Sequence, residues 1–281
     1  MIAECGIAPR ESKTVSGKWR PQTSPTWPWT ALLHFSIFGD IEGCMATLID
    51  KEWLITAARC LYVALGPSGS KFAPISAPHI KVELGAFKRG SSNHQPVLHQ
   101  VSEIVIHKDF DPKKLSGNIA LVRLAKPVKF TSKISPICMP TRTEVQSILQ
   151  PGNAIGVVVG WGKDENHRVK SSLHEAAVSV VHRSHCKWAN MSFEVNNMIC
   201  AGYKEQQDKT CIGDSGSPLM FSVASRGQHP TKWVLGGVMS WGLKEFLHGC
   251  HTNYRYTAYT SEGRNLKWIK FKGKSHKGST K

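Results

Sequence analysis

Short runs of Val, Ile, Leu and Thr, broken by clusters of Gly, Pro, Ser and Asn, recur along almost the whole chain. They fall at Thr30–Phe38, Met45–Ala58, Lys81–Phe87, Val101–His107, Ile119–Leu124, Ala154–Trp161, Ala176–Val181 and Lys232–Trp241. Many short strands at close spacing predict an all-β sandwich or barrel rather than an alternating α/β fold. Helical spacing is confined to the C-terminus, where Leu266, Trp268 and Ile269 form one face and Lys267, Lys270 and Lys274 another. Residues 66–78, rich in Pro, Ser and Gly, read as a surface loop because strand-like sequence resumes at once. Residues 131–153 carry prolines and little periodicity, which predicts a crossover between two halves of similar size. The 281 residues suit two domains or one large β domain. At 41% hydrophobic and 20% charged the chain is not of disordered composition. It contains no run of ~18 apolar residues of the kind a membrane-spanning helix needs.

The formal net charge is +16, from 36 Lys and Arg against 20 Asp and Glu. Seven of the basic residues lie after position 262 with no acidic residue beyond Glu262, so the excess is partly a tail and partly a property of the body. Such a balance points to anionic partners without choosing among them. The 8 cysteines permit four disulfides. No Cys-x-x-Cys pair or zinc-like Cys/His spacing is present. His182 with His185, and His248 with His251, lack third and fourth ligands, so neither a metal nor another cofactor is expected. The first twenty residues are too charged for a signal-peptide core, leaving a removed leader or an incomplete start. The sequon Asn190-Met191-Ser192 fits a secreted chain.

The sharpest local pattern is Cys211-Ile212-Gly213-Asp214-Ser215-Gly216-Ser217-Pro218-Leu219. A serine between glycines can sit in a tight turn whose backbone N–H groups converge on one point, as an oxyanion hole requires. This block resembles the nucleophile motif of the chymotrypsin/trypsin-like serine proteases, with Ser217 where glycine is usual. Trp53-Leu54-Ile55-Thr56-Ala57-Ala58-Arg59-Cys60 resembles the strand and loop that present the catalytic histidine. Asn118-Ile119-Ala120-Leu121-Val122-Arg123-Leu124 resembles the segment that opens with the catalytic aspartate. Gly160-Trp161-Gly162, Met198-Ile199-Cys200-Ala201-Gly202 and Ser240-Trp241-Gly242 follow in the family's order. The resemblance, from about Trp27 to Ile269, implies two six-stranded antiparallel Greek-key β-barrels with a cleft between them and a C-terminal helix. It implies the disulfides Cys5–Cys138, Cys44–Cys60, Cys186–Cys200 and Cys211–Cys250, and hence an extracellular, oxidising setting. A further common pair would need cysteines where Gly156 and Phe221 stand. The organisation that follows is a propeptide-like segment 1–13 and a peptidase-like domain 14–262, with barrels at about 28–130 and 150–262. A helix and basic tail then occupy 263–281.

The departures bear on activity. Serine needs a neighbouring base to take its proton. The family uses histidine, and this chain has Arg59, whose guanidinium has no acceptor lone pair and stays charged. Asn118 stands in place of the aspartate that would orient the histidine. In subtilisin, loss of the histidine alone costs about as much as loss of the whole triad, roughly 10⁶ in kcat. The Gly213 and Ser215 amides of the implied oxyanion hole would retain only about 10³–10⁴ over water. Rescue by another of the 13 histidines would need one within about 3 Å of Ser215 Oγ.

The family's pocket floor, two residues before Cys211, is Lys209 here, with Ser240, Trp241, Gly242 and Thr257 as further pocket positions. Replacing His/Asp/Asp by Arg59/Asn118/Lys209 moves the formal cleft charge from about −2 to about +2, in a concave site that focuses the field. Lys13 followed by Thr14-Val15-Ser16-Gly17 reads either as a remnant of the family's activation cleavage, with Asp214 as salt-bridge acceptor, or as an uncut surface segment. The expected function is a secreted, catalytically inactive homologue that binds proteins or peptides of a proteolytic cascade. Lys267, Lys270, Lys272 and Lys274 are candidates for heparan sulfate or an anionic membrane surface, and no nucleic acid is expected. The alternative is a serine endopeptidase that keeps Ser215 chemistry through another base.

Overall fold

A computed structural model of the chain describes residues 5–8, 20–21, 27–37, 41–65, 71–85, 97–148, 154–162, 171–186, 198–202, 215–223, 232–241, 256–261, 265 and 267–269. The first half contains β1 (Arg20–Pro21), β2 (Thr30–Phe35), β3 (Ile41–Leu48), β4 (Trp53–Thr56), β5 (Tyr62–Leu65), β6 (Lys71–Pro74), β7 (Ile80–Leu84), β8 (Leu98–Ile106) and β9 (Ala120–Leu124). Then come α1 (Arg142–Ile148), β10 (Ile155–Gly160), β11 (His174–Val180), β12 (Met198–Gly202), β13 (Pro218–Val223), β14 (Lys232–Trp241) and β15 (Tyr256–Ser261). Strands β2, β3, β4, β9, β8 and β7 close one antiparallel barrel. Strands β11, β10, β13, β14, β15 and β12 close the second through the β11–β12 pairing, with β1 added outside β11.

Strands buried on both faces read as unbroken apolar runs. All four residues of β4 are buried, as are all five of β12, because one face fills a barrel and the other is covered. The apolar core crosses between the barrels: Trp29, Leu54 and Val122 share one cluster with Val159, Met220 and Leu235. Trp27 sits in this seam, 5.7 Å from the Trp29 ring centroid and 4.7 Å, edge-on, from that of Trp233. Its Nε1–H donates to the buried Glu175 carboxylate at 2.7 Å. A Trp side chain buries roughly 150–250 Å², worth at most about 4–6 kcal/mol before ordering entropy. The tryptophans therefore contribute much of what holds the halves together.

Disulfides join Cys5 to Cys138, Cys44 to Cys60 and Cys186 to Cys200. Closing the 16-residue separation of Cys44 and Cys60 contributes about 3 kcal/mol in the chain-entropy account. Cys211 and Cys250 lie outside the described residues.

Two short elements lie where the sequence shows no period. The region 131–153 holds helix α1, capped at its start by Thr141 and Glu144, whose side chains each accept the other's backbone N–H (2.6 and 3.3 Å). Seven residues are too few to show periodicity, but the spacing Thr-x-x-Glu is a capping box and was the available signal. The loop 66–78 contains β6, paired with β5, so it is partly the return arm of a hairpin. A four-residue strand in which Lys71, Phe72 and Pro74 are all exposed carries no apolar alternation to announce it.

Candidate functional site

Arg59 is placed by what precedes it. Strand β4 runs through the core, and the small, fully buried Ala57 and Ala58 let the chain turn beneath the barrel wall. A 3-10 turn follows at Ala58–Leu61, closed by Cys60 N–H donating to the Ala57 carbonyl at 3.0 Å. The Cys44–Cys60 disulfide pins this turn to β3, leaving Arg59 half-buried at its edge.

Asn118 arrives on a different segment, just before β9. Gly117 ahead of it has φ +55, and a Cβ there would stand 2.8 Å from the Asp109 carbonyl oxygen, so only glycine fits. Asn118 is 0% exposed. Its Oδ1 accepts the backbone N–H of Arg59 at 2.8 Å. Its Nδ2 donates to the Ser240 carbonyl at 3.0 Å and to Ser240 Oγ at 2.9 Å, and its own carbonyl accepts Thr260 Oγ–H at 3.0 Å.

The Ser215 turn is bound to the first barrel rather than only to its own. The Ser215 carbonyl accepts Met45 N–H at 2.9 Å, and Ser217 Oγ–H is directed at Met45 Sδ at 3.1 Å. Thr56 Oγ–H bonds the Met45 carbonyl at 2.7 Å. Gly216 has φ +87, and a Cβ would lie 2.0 Å from the Met45 carbonyl oxygen. Gly216 N–H donates to Met239 O at 3.0 Å and Met239 N–H to Ser217 O at 2.8 Å, fixing the other side on β14. Met45 follows Cys44 and Arg59 precedes Cys60, so one disulfide links the neighbours of the Arg59 and Ser215 turns. Ser215 itself is 6% exposed.

A family model described as Trypsin matches residues 17–269. The chain belongs to the trypsin family. It is 34% identical over 257 residues to Limulus clotting factor C of Carcinoscorpius rotundicauda, covering 87% of this chain and 24% of that protein. Clotting factor C of Tachypleus tridentatus matches equally, at 34% over 257 residues. Mannan-binding lectin serine protease 1 of Homo sapiens is 30% identical over 274 residues, 94% of this chain and 37% of that protein. The chain thus spans about a quarter to two fifths of these relatives.

Within this trypsin-family domain, Arg59, Asn118 and Ser240 are joined directly by hydrogen bonds, although 59 residues separate the first two and 122 the last two. Ser240 is fully buried, and Trp241 pairs with Ala258 beside the buried Thr257, which brings three sequence-chosen pocket positions onto adjacent strands. Lys209, Gly213, Asp214 and Gly242 lie outside the described residues, as do Lys270, Lys272, Lys274 and the Lys13–Gly17 segment. Lys267 is exposed, one residue before Trp268, whose ring meets the His107 ring edge-on at 5.0 Å. His107 Nδ1 also accepts the Asp109 N–H at 3.3 Å. Among the described residues no three His, Cys, Asp or Glu side chains converge as a metal site, and no helix is long and apolar enough to cross a membrane. Sequence reasoning missed Met45 and Thr56, which brace the serine turn. A methionine beside the half-cystine Cys44 carries no signal until the second barrel is packed on it.

Proposed function

We propose that this domain is a secreted, non-catalytic binding or regulatory member of the trypsin family, with Arg59, Asn118 and Ser215 at the positions of the catalytic triad. The observation that carries the reading is the 2.8 Å bond from Arg59 N–H to Asn118 Oδ1. It supports reading Arg59 as standing where the family's base belongs, and a guanidinium accepts no proton from Ser215. Disulfides require an oxidising compartment, which supports an extracellular setting. The named relatives are clotting factors and a serine protease. This supports protein or peptide partners from a proteolytic cascade.

The partner would present an acidic segment to the cleft, since Arg59 and Lys209 add positive charge and Asn118 removes a negative one. The Lys-rich end around Lys267 would add affinity for heparan sulfate or an anionic membrane. Calorimetric titration with Glu-rich and Lys-rich peptides checks the cleft: equal affinity for both sinks that part.

A fluorophosphonate probe at neutral pH tests the loss of catalysis. The expected result is no labelling of Ser215. Rapid labelling that disappears in Ser215→Ala supports the other reading, a trypsin-like endopeptidase with a substitute base, which the intact bracing of the Ser215 turn favours.

A further inference from the structure

Asn118 touches both halves of the molecule through one amide. Arg59 N–H can only donate and the Ser240 carbonyl can only accept, so these two backbone groups dictate which end of the amide faces which. The Ser240 hydroxyl and Thr260 complete the set, and Asn118 is 0% exposed, so water does not stand in for a lost partner. A carboxylate at this position offers acceptors alone. It would keep the Arg59 bond, and the Ser240 hydroxyl can rotate to donate to it. It would also set an oxygen about where Nδ2 now lies, 3.0 Å from the Ser240 carbonyl oxygen, with no proton between them.

We propose that Asn118 is an amide clamp that fixes the Arg59 turn of the first barrel against β14 of the second. Its donor-and-acceptor polarity, rather than its likeness to a carboxylate, is what this site uses. The clamp deepens the non-catalytic reading and rests on it, because a histidine at 59 would give a carboxylate a use. It anchors the Arg59 backbone from one side while the Cys44–Cys60 disulfide anchors it from the other, so the guanidinium extends from a rigid base.

The test uses the full chain and two readouts: thermal midpoint and amide hydrogen exchange. In the parent protein, the Arg59 amide should exchange as slowly as those of Leu54 and Ile55 in β4. Rapid exchange overturns the clamp whether or not any variant folds. Asn118→Ala should lower the midpoint by roughly 5–10 °C for the loss of several buried hydrogen bonds in a domain of this size. It should also speed Arg59 exchange at least about tenfold while β4 amides keep their protection. Asn118→Asp should lose a comparable amount. It is compared again with Arg59→Gln added, so that a guanidinium–carboxylate pair cannot mask the loss. An Asn118→Asp chain as stable as its Arg59→Gln parent overturns the proposal. Labelling of Ser215 by the fluorophosphonate would refute the non-catalytic reading alone and leaves these outcomes legible.

Discussion

Phe221 lays its ring against Gly236 so closely that a Cβ on that glycine would stand 2.3 Å from Phe221 Cε2. A Cβ on Gly156 would likewise lie 3.0 Å from the ring and 2.7 Å from Leu219 Cδ1. The aromatic side chain thus fills space over two glycines, at positions where the resemblance places one half of a common disulfide at 156 and the other at 221. Here the second barrel replaces a covalent tie with packing.

Phe221→Ala should therefore cost about 3–5 kcal/mol, because the two glycines offer no side chains to collapse into the cavity. Gly236→Ala should also destabilise, by forcing the ring off its seat. Urea unfolding with an unchanged m-value is the check, and a loss below 1 kcal/mol for Phe221→Ala would contradict the account.

The serine turn has no tolerance at Gly216. With φ +87 and the Met45 carbonyl oxygen 2.0 Å from a built Cβ, alanine meets both backbone strain and a clash. Gly216→Ala is expected to cost about 4 kcal/mol or more, seen as a large fall in thermal midpoint or in soluble yield. Ser217→Gly should cost far less, since it removes only the hydroxyl contact to Met45 Sδ.

Placing histidine at 59 and aspartate at 118 tests both the clamp and the proposed loss of catalysis. Asn118→Asp alone sets a buried carboxylate oxygen against the Ser240 carbonyl with no proton between them, whereas Arg59→His supplies a further ring N–H to the carboxylate. The double change Arg59→His/Asn118→Asp should recover stability that Asn118→Asp loses, a coupling of about 1–3 kcal/mol in a double-mutant cycle. It should also raise amide hydrolysis above that of the parent, measured on a panel of peptide substrates. Stability without hydrolysis would locate a further defect in the pocket or in activation.

Helix α1 carries a pH signature. Burial alone would raise the Glu144 carboxyl, but Thr141, through its backbone N–H and hydroxyl, and Lys232 at 3.3 Å outweigh it and hold the carboxyl below its usual range. A depressed carboxyl contributes stability above its unfolded value, about 4.3, and loses that contribution as pH falls through the lower folded value. Glu144→Gln should be less stable than the parent near neutral pH, with the gap narrowing as pH falls below the unfolded value and through the lower folded one. A gap that stays constant across that range would show that the carboxylate charge is not involved.

The amino-acid sequence by itself determined the all-β class, the trypsin resemblance and the chemical incapacity of Arg59 as a base. Each depends on local information: strand runs between turn residues, short motifs in a fixed order, and the lone-pair inventory of one side chain. Helix α1 and strand β6 escaped because seven and four residues are too short to display a period. The partners of Asn118, the Met45 brace behind Ser215 and the Phe221 seat on Gly236 were decided by tertiary structure alone. These contacts join residues 122, 170 and 15 positions apart. Barrel closure and the packing of one barrel on the other bring them together, and no periodicity along the chain encodes that approach.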